Sequence, residues 1–178
     1  MKKVLFAAAL AAACGVASAQ GYAGALIGLA KINADCPIGA SCDDSSTGMK
    51  VYGGYEVAPN IAVEVGYTSF GKVKVSGAGG SLEVKGTAFV VNGAFRFPLA
   101  TDFTGVARLG LASVKGKYSD TLGGSESESK IKLYTGLGLE YDIAKDIKLI
   151  GAFDLSNVEV GGDSGTAMLF GAGVQASF

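Results

Sequence analysis

From Gln20 onward, apolar and polar residues alternate with a period of two in eight segments, each about as long as a tilted strand that crosses a bilayer. The segments are Tyr22–Asn33, Met49–Val57, Ile61–Phe70, Val84–Phe97, Phe103–Lys117, Lys130–Asp142, Ile147–Val158 and Thr166–Phe178. The connections between them alternate between short and long. Ala58-Pro59-Asn60, Pro98 to Asp102 and Ile143 to Asp146 are short; 34–48, 71–83, 118–129 and 159–165 are long and rich in Gly, Ser and charge. All three prolines fall in connections, where a missing N–H costs a sheet nothing. Short turns at one end and long loops at the other match an even-stranded up-and-down barrel with both termini on the turn side.

Parity within the segments sorts side chains onto two faces. One is apolar, with Val51, Tyr55, Val63, Val65, Tyr67, Phe89, Val91, Phe95, Leu109, Leu111, Leu137, Leu139, Leu149 and Phe153 among its members. The other is mixed, with Lys50, Tyr52, Glu56, Glu64, Asn92, Arg96, Arg108, Glu140, Lys148 and Asp154. Parity alone does not say which face points outward, since a lipocalin-like barrel would turn its apolar face inside. Small residues decide it: Gly54, Gly66, Ala94, Gly110, Gly136, Gly138, Ala152, Gly171 and Gly173 share parity with the charges. A narrow eight-stranded lumen needs them and a solvated face does not. The apolar face therefore meets lipid, and the fold is an all-β, eight-stranded antiparallel transmembrane β-barrel. Strand one is apolar on both faces, and its inward set stays open. The last strand places Met168, Phe170, Ala172, Val174, Ala176 and Phe178 on one face, and a long apolar edge of this kind calls for closure against another strand.

Composition refines this. Lys2 and Lys3, the apolar run from Val4 to Ala13 and Ala17-Ser18-Ala19 form the layout of a cleavable secretory signal, residues 1–19, leaving a barrel domain of residues 20–178. Cys14 stands one place out of step for a lipoprotein acceptor, and the Ala-x-Ala site follows it cleanly. Without Lys2 and Lys3, thirteen basic residues face sixteen acidic ones, so there is no basic footprint for nucleic acid. The mean hydropathy of +0.37 comes with no second apolar run long enough for a spanning helix. Cys36 and Cys42, the two cysteines beyond the signal, lie in a polar stretch of an exported chain, where a disulfide is the default expectation and would stiffen a short loop. Asp35, Asp43 and Asp44 nearby lack the spacing of a calcium loop.

The segment Lys50-Val51-Tyr52-Gly53-Gly54-Tyr55-Glu56, the following Pro59-Asn60 and Ala62-Val63-Glu64-Val65-Gly66-Tyr67-Thr68, the stretch Gly136-Leu137-Gly138-Leu139-Glu140-Tyr141 and the terminal aromatic strand resemble the small OmpA/OmpX-type outer-membrane barrels that lack a periplasmic domain. The resemblance runs from Gln20 to Phe178. It implies outer-membrane localisation, a monomer among outer-membrane lipid and lipopolysaccharide, and Phe178 as an assembly signal read by the barrel-assembly machinery.

One constellation of charges stands on the inward parity: Glu64, Arg96, Arg108, Glu140, Lys148 and Asp154, three of each sign. Charges with so little water must pair, so a lumenal ion-pair network is expected. It is either a static plug or, as in the resembling family, a gate for a narrow ion pathway. Catalysis has little to stand on, because the chain has no histidine, the usual general base and commonest metal ligand. No cofactor is expected. Ser125-Glu126-Ser127-Glu128-Ser129 reads as a solvated acidic tip, and Gly77-Ala78-Gly79-Gly80 as loop flexibility with no phosphate-binding continuation. Aromatics at the strand ends, Tyr22, Tyr55, Phe97, Phe103, Tyr141 and Phe178 on the turn side and Tyr67, Phe70, Tyr118 and Phe170 toward the loops, suggest two interfacial girdles. The expected function is a structural envelope protein with at most a narrow gated ion pathway. The alternative is an adhesin-like or host-interacting module whose loops carry a ligand site.

Overall fold

In the computed structural model, residues 20–33, 41–42, 45–77, 80–119, 125–160 and 163–178 are described, and the expected signal, Cys36 and therefore the Cys36–Cys42 pairing lie outside that set. The chain folds into β1 (Gly21–Asn33), β2 (Ser41–Cys42), β3 (Ser45–Ala58), β4 (Ile61–Gly77), β5 (Gly80–Pro98), β6 (Phe103–Ser119), β7 (Ser125–Ala144), β8 (Ile147–Val160) and β9 (Asp163–Ser177). Every ladder is antiparallel. β9 pairs with β1, and β4 with both β3 and β5, so the sheet closes into an eight-stranded ring with β2 as a short addition on β4. Closure answers the apolar terminal strand: Phe170 stands opposite Leu29 and Val174 opposite Ala25, and the Phe178 N–H donates to the Gly21 carbonyl at 2.9 Å.

Stepping sideways through paired residues from Tyr22, by way of Gly54, Glu64, Asn92, Gly110, Tyr134, Ser156 and Ala167, returns to β1 at Ile32, a stagger of ten residues. For eight strands that stagger sets a tilt of about 40° and a radius of about 8 Å. The outer wall carries the apolar set, from Tyr55, Ile61, Phe103 and Ile147 at the turn end to Leu29, Met49, Phe89 and Ile131 at the other, all exposed. This is the lipid-facing band of a membrane barrel.

On the turn side, Pro59 precedes Asn60, whose φ of 66° is one that Asn tolerates better than most residues, and a bulge at Glu56–Ala58 fits the turn to the ladder. The opposite end departs from the sequence expectation. Most of 71–83, 118–129 and 159–165 is strand, with ladders running to Gly77↔Gly80, Ser119↔Ser125 and Val160↔Asp163. Ser125–Ser129, expected as a solvated tip, is the first stretch of β7. Above the membrane a strand's outer face need not be apolar, so Ser, Lys and Glu there hide the period; the wall below already holds the two chains in register, and continuing the ladder costs little.

Candidate functional site

The lumen is built from the even-numbered positions of β1 and the inward set of the other strands. Tyr22, Leu26 and Ala30 are buried whereas Ile27 and Leu29 are exposed, which assigns the strand left open by its sequence. Tyr22 and Phe70 are thereby removed from the expected girdles: both are buried inside the barrel. Tyr55, Tyr67, Phe103, Tyr141, Phe170 and Phe178 are exposed on the outer wall.

At the turn-side end, Glu140 on β7 is held by two cations. Arg96 Nε on β5 lies 3.2 Å from its Oε1 and Lys148 Nζ on β8 lies 3.0 Å from its Oε2. The Arg96 guanidinium sits 4.4 Å from the Tyr22 ring centroid, a favourable stack for a buried arginine. Its two terminal nitrogens have no hydrogen-bond partner; they meet Glu56 at 3.6 Å and Glu64 at 4.0 Å.

One step higher, Glu64 on β4 accepts four hydrogen bonds: from Arg108 Nε at 2.8 Å and Nη2 at 3.4 Å, from Asn92 Nδ2 at 2.9 Å and from the Tyr22 hydroxyl at 2.9 Å. A buried carboxylate is tolerable only when its lone pairs are met in this way. Higher still, Lys50 on β3 lies 2.9 Å from Asp154 Oδ2 on β8 and donates to the Tyr134 hydroxyl at 2.7 Å, and that hydroxyl donates to Asp154 Oδ1. Tyr52 stands between these levels, donating to Gln175 Oε1 at 2.9 Å, with Arg108 5.5 Å and Lys50 5.3 Å from its ring centroid.

Wall glycines make room for this cluster. A Cβ on Gly54 would strike the Tyr22 ring, one on Gly24 would lie 2.5 Å from the Tyr52 ring, and one on Gly138 would lie 2.7 Å from an Arg108 nitrogen. Above the Lys50–Asp154 pair the lumen changes character. Phe70, Val90, Val114 and Leu169, with Ala30, Ala88, Ala112 and Ala167, pack there as buried apolar side chains, next to the half-buried Lys132 and Lys130, which share the inward parity of β7 opposite Ala112 and Val114. At the change of character the Thr68 and Ser156 hydroxyls are buried without partners.

Five of the six expected residues, Glu64, Arg96, Arg108, Glu140 and Lys148, therefore form one continuous cluster, while Asp154 belongs to a separate pair with Lys50. Lys50 was missed as a member although it shares inward parity. So were the uncharged partners Tyr22, Asn92, Tyr134 and Gln175. Among the described residues, no group of three or more His, Cys, Asp and Glu is arranged to hold a metal ion.

Comparison with known proteins agrees with this architecture. The OmpA-like transmembrane domain profile matches residues 16–159. Among solved structures, Neisserial surface protein A superposes with a TM-score of 0.67 at 18% identity, over 89% of this chain and 97% of that one. The N-terminal β-barrel domain of Pseudomonas aeruginosa OprF gives 0.59 at 12% identity, over 89% and 98%. The Yersinia pestis attachment invasion locus protein Ail, solved with a heparin analogue, gives 0.54 at 18% identity, over 88% and 99%. No match was found among curated protein sequences. The profile stops short of β9, yet β9 closes the ring on β1, so the barrel is complete without its help. With its closed ring, its lipid-facing band and four-fifths of its length matched, the chain belongs to the OmpA-like transmembrane domain family of outer-membrane barrels.

Proposed function

We propose that this barrel is a non-enzymatic structural protein of the outer membrane whose lumen is closed by two successive plugs, with at most a narrow, gated ion pathway. The observation that carries the reading is the filling of the lumen: a paired charge cluster around Glu140 and Glu64 at the turn side, the separate Lys50–Asp154 pair above it, and packing around Phe70, Val90, Val114 and Leu169 beyond. An ion would have to open the pairs and then pass between closely packed apolar side chains, which raises a barrier twice. Purified barrels in planar bilayers test this. Long closed intervals with rare small openings that grow more frequent when Glu140 or Lys148 is changed to Ala fit a gated path. Silence in wild type and variants leaves the static plug and removes the pathway. Steady large conductance in the wild type sinks both.

A binding role is the second reading, favoured by the hairpins. The β4–β5 and β6–β7 ladders continue about 20 Å beyond the lipid-facing band, giving stiff ribbons on which a ligand site could be fixed. The attachment invasion locus protein, bound to a heparin analogue, has the same fold. Replacing 72–85 by a short turn while keeping the barrel tests this: undiminished adhesion to cells or matrix counts against it. Insertion through the barrel-assembly machinery, with Phe178 as the signal, and a disulfide between Cys36 and Cys42 complete the proposal.

A further inference from the structure

At the turn-side corner of the barrel, Gln20 is held to the wall at two points. Its carbonyl accepts the Glu56 N–H at 2.8 Å, which carries the β1–β3 ladder one step past Gly21↔Tyr55. Its side-chain Oε1 accepts the Tyr55 hydroxyl at 2.5 Å. Beside it the Phe178 N–H donates to the Gly21 carbonyl at 2.9 Å, so the end of β9 braces the same corner. An open hollow of about 570 Å³ adjoins these bonds, lined by Gln20, Tyr55, Glu56, Val57, Ala58 and Pro59.

Stability gives little reason for the Tyr55–Gln20 bond. Both residues are exposed, and a hydrogen bond between exposed neutral groups replaces bonds to water with small net gain. Its chemical effect is more specific. A donor on an amide oxygen draws electron density from Cδ, and it stands where negative charge develops when a nucleophile attacks that carbon.

The sequence just before this corner supplies such a nucleophile. Cleavage after Ala19, expected from Ala17-Ser18-Ala19, turns the Gln20 nitrogen from a peptide nitrogen into a primary amine. Cα, Cβ and Cγ separate that amine from Cδ of its own side chain, so attack closes a five-membered ring with the advantage of intramolecular reaction.

We propose that the barrel modifies its own first residue, the Tyr55 hydroxyl promoting cyclisation of an N-terminal Gln20 to pyroglutamate. The bond from the Gln20 nitrogen to Cδ forms and the bond from Cδ to Nε2 breaks. One proton passes from the attacking amine to the leaving nitrogen, which departs as ammonia through the hollow; nothing is oxidised or reduced. The inference rests on the cleavage expected after Ala19. Its product is a neutral lactam whose oxygen is the former Oε1, so the bond from Tyr55 is kept. The α-ammonium is lost from a corner where Tyr55, Val57 and Phe178 are exposed on the apolar outer wall, a costly neighbourhood for a charge.

The test exports the full chain with its own signal in a short pulse and weighs the N-terminal peptide of the outer-membrane barrel by mass spectrometry through a chase. The peptide should begin at Gln20 and lose one ammonia with time. Barrel captured early, before conversion, is then incubated in detergent, folded or unfolded in urea. Conversion should be about tenfold faster in the folded barrel, below the roughly hundredfold that one donor supplies in a water-excluded oxyanion site, because Tyr55 is 44% exposed. Tyr55→Phe, checked for folding by heat-modifiable migration, should remove the difference. Tyr141→Phe, which loses a hydroxyl exposed elsewhere at the turn end, should keep it. A peptide that begins elsewhere overturns the cleavage and this inference together, whereas one that begins at Gln20 and keeps its ammonia overturns cyclisation alone. Equal rates in folded and unfolded wild type, or an undiminished rate in folded Tyr55→Phe, overturns the part assigned to Tyr55.

Discussion

Breaking the Lys50–Asp154 pair from one side should cost far more than replacing it whole. Lys50 is 2% exposed, and its ammonium is held by Asp154 and by the Tyr134 hydroxyl, which donates in turn to Asp154. Lys50→Met leaves the Asp154 carboxylate buried with the Tyr134 hydroxyl as its remaining donor in the triangle. Asp154→Leu leaves the ammonium facing a neutral hydroxyl. Each single change should cost about 3–5 kcal/mol, because an uncompensated buried charge keeps its full desolvation penalty. The double replacement removes both charges and fills similar volume, so it should come within about 1 kcal/mol of the wild type. The measurement is equilibrium urea unfolding of the barrel in thin bilayers, read by heat-modifiable gel migration, as a double-mutant cycle. Singles costing under about 1 kcal/mol, or a double variant as poor as the sum of both, would refute the triangle as the source of stability in the upper lumen.

Gly28→Ala and Gly151→Ala make a matched pair, since a Cβ at Gly28 collides with the Phe170 carbonyl and Gly171 across the β1–β9 seam, while one at Gly151 has nothing within 4 Å. The first should destabilise by about 1–3 kcal/mol or prevent closure, and the second should leave the urea midpoint in place. Leu137, 62% exposed at mid-height of the lipid-facing wall, should cost about 2–4 kcal/mol when changed to Arg, measured by the same titration. Replacing Phe178, which is 48% exposed, with Ser should slow insertion in cells while leaving the unfolding midpoint of purified, refolded barrel nearly unchanged; equal effects on both would mean that it acts only through packing.

Period-two alternation, proline placement and the parity of small residues are local properties of a strand, and they determine the fold class, the strand count and the lipid-facing side before any contact is known. The lumenal location of Glu64, Arg96, Arg108, Glu140, Lys148 and Asp154 is of the same kind, because parity reaches it one strand at a time. Pairing is not local. Lys50 and Asp154 are 104 residues apart, and whether they meet depends on relative height, which the ten-residue stagger of the closed ring sets. That stagger separates Asp154 from the Glu64–Arg108 pair and leaves it to Lys50. Strand one shows the same limit, since its two apolar faces carry no signal until β3 and β9 fix which side Tyr22 takes. The hairpins show a further one: above the membrane no solvent contrast marks a strand's two faces, so only continued pairing with the wall below decided that 71–83 and 118–129 are largely ladder.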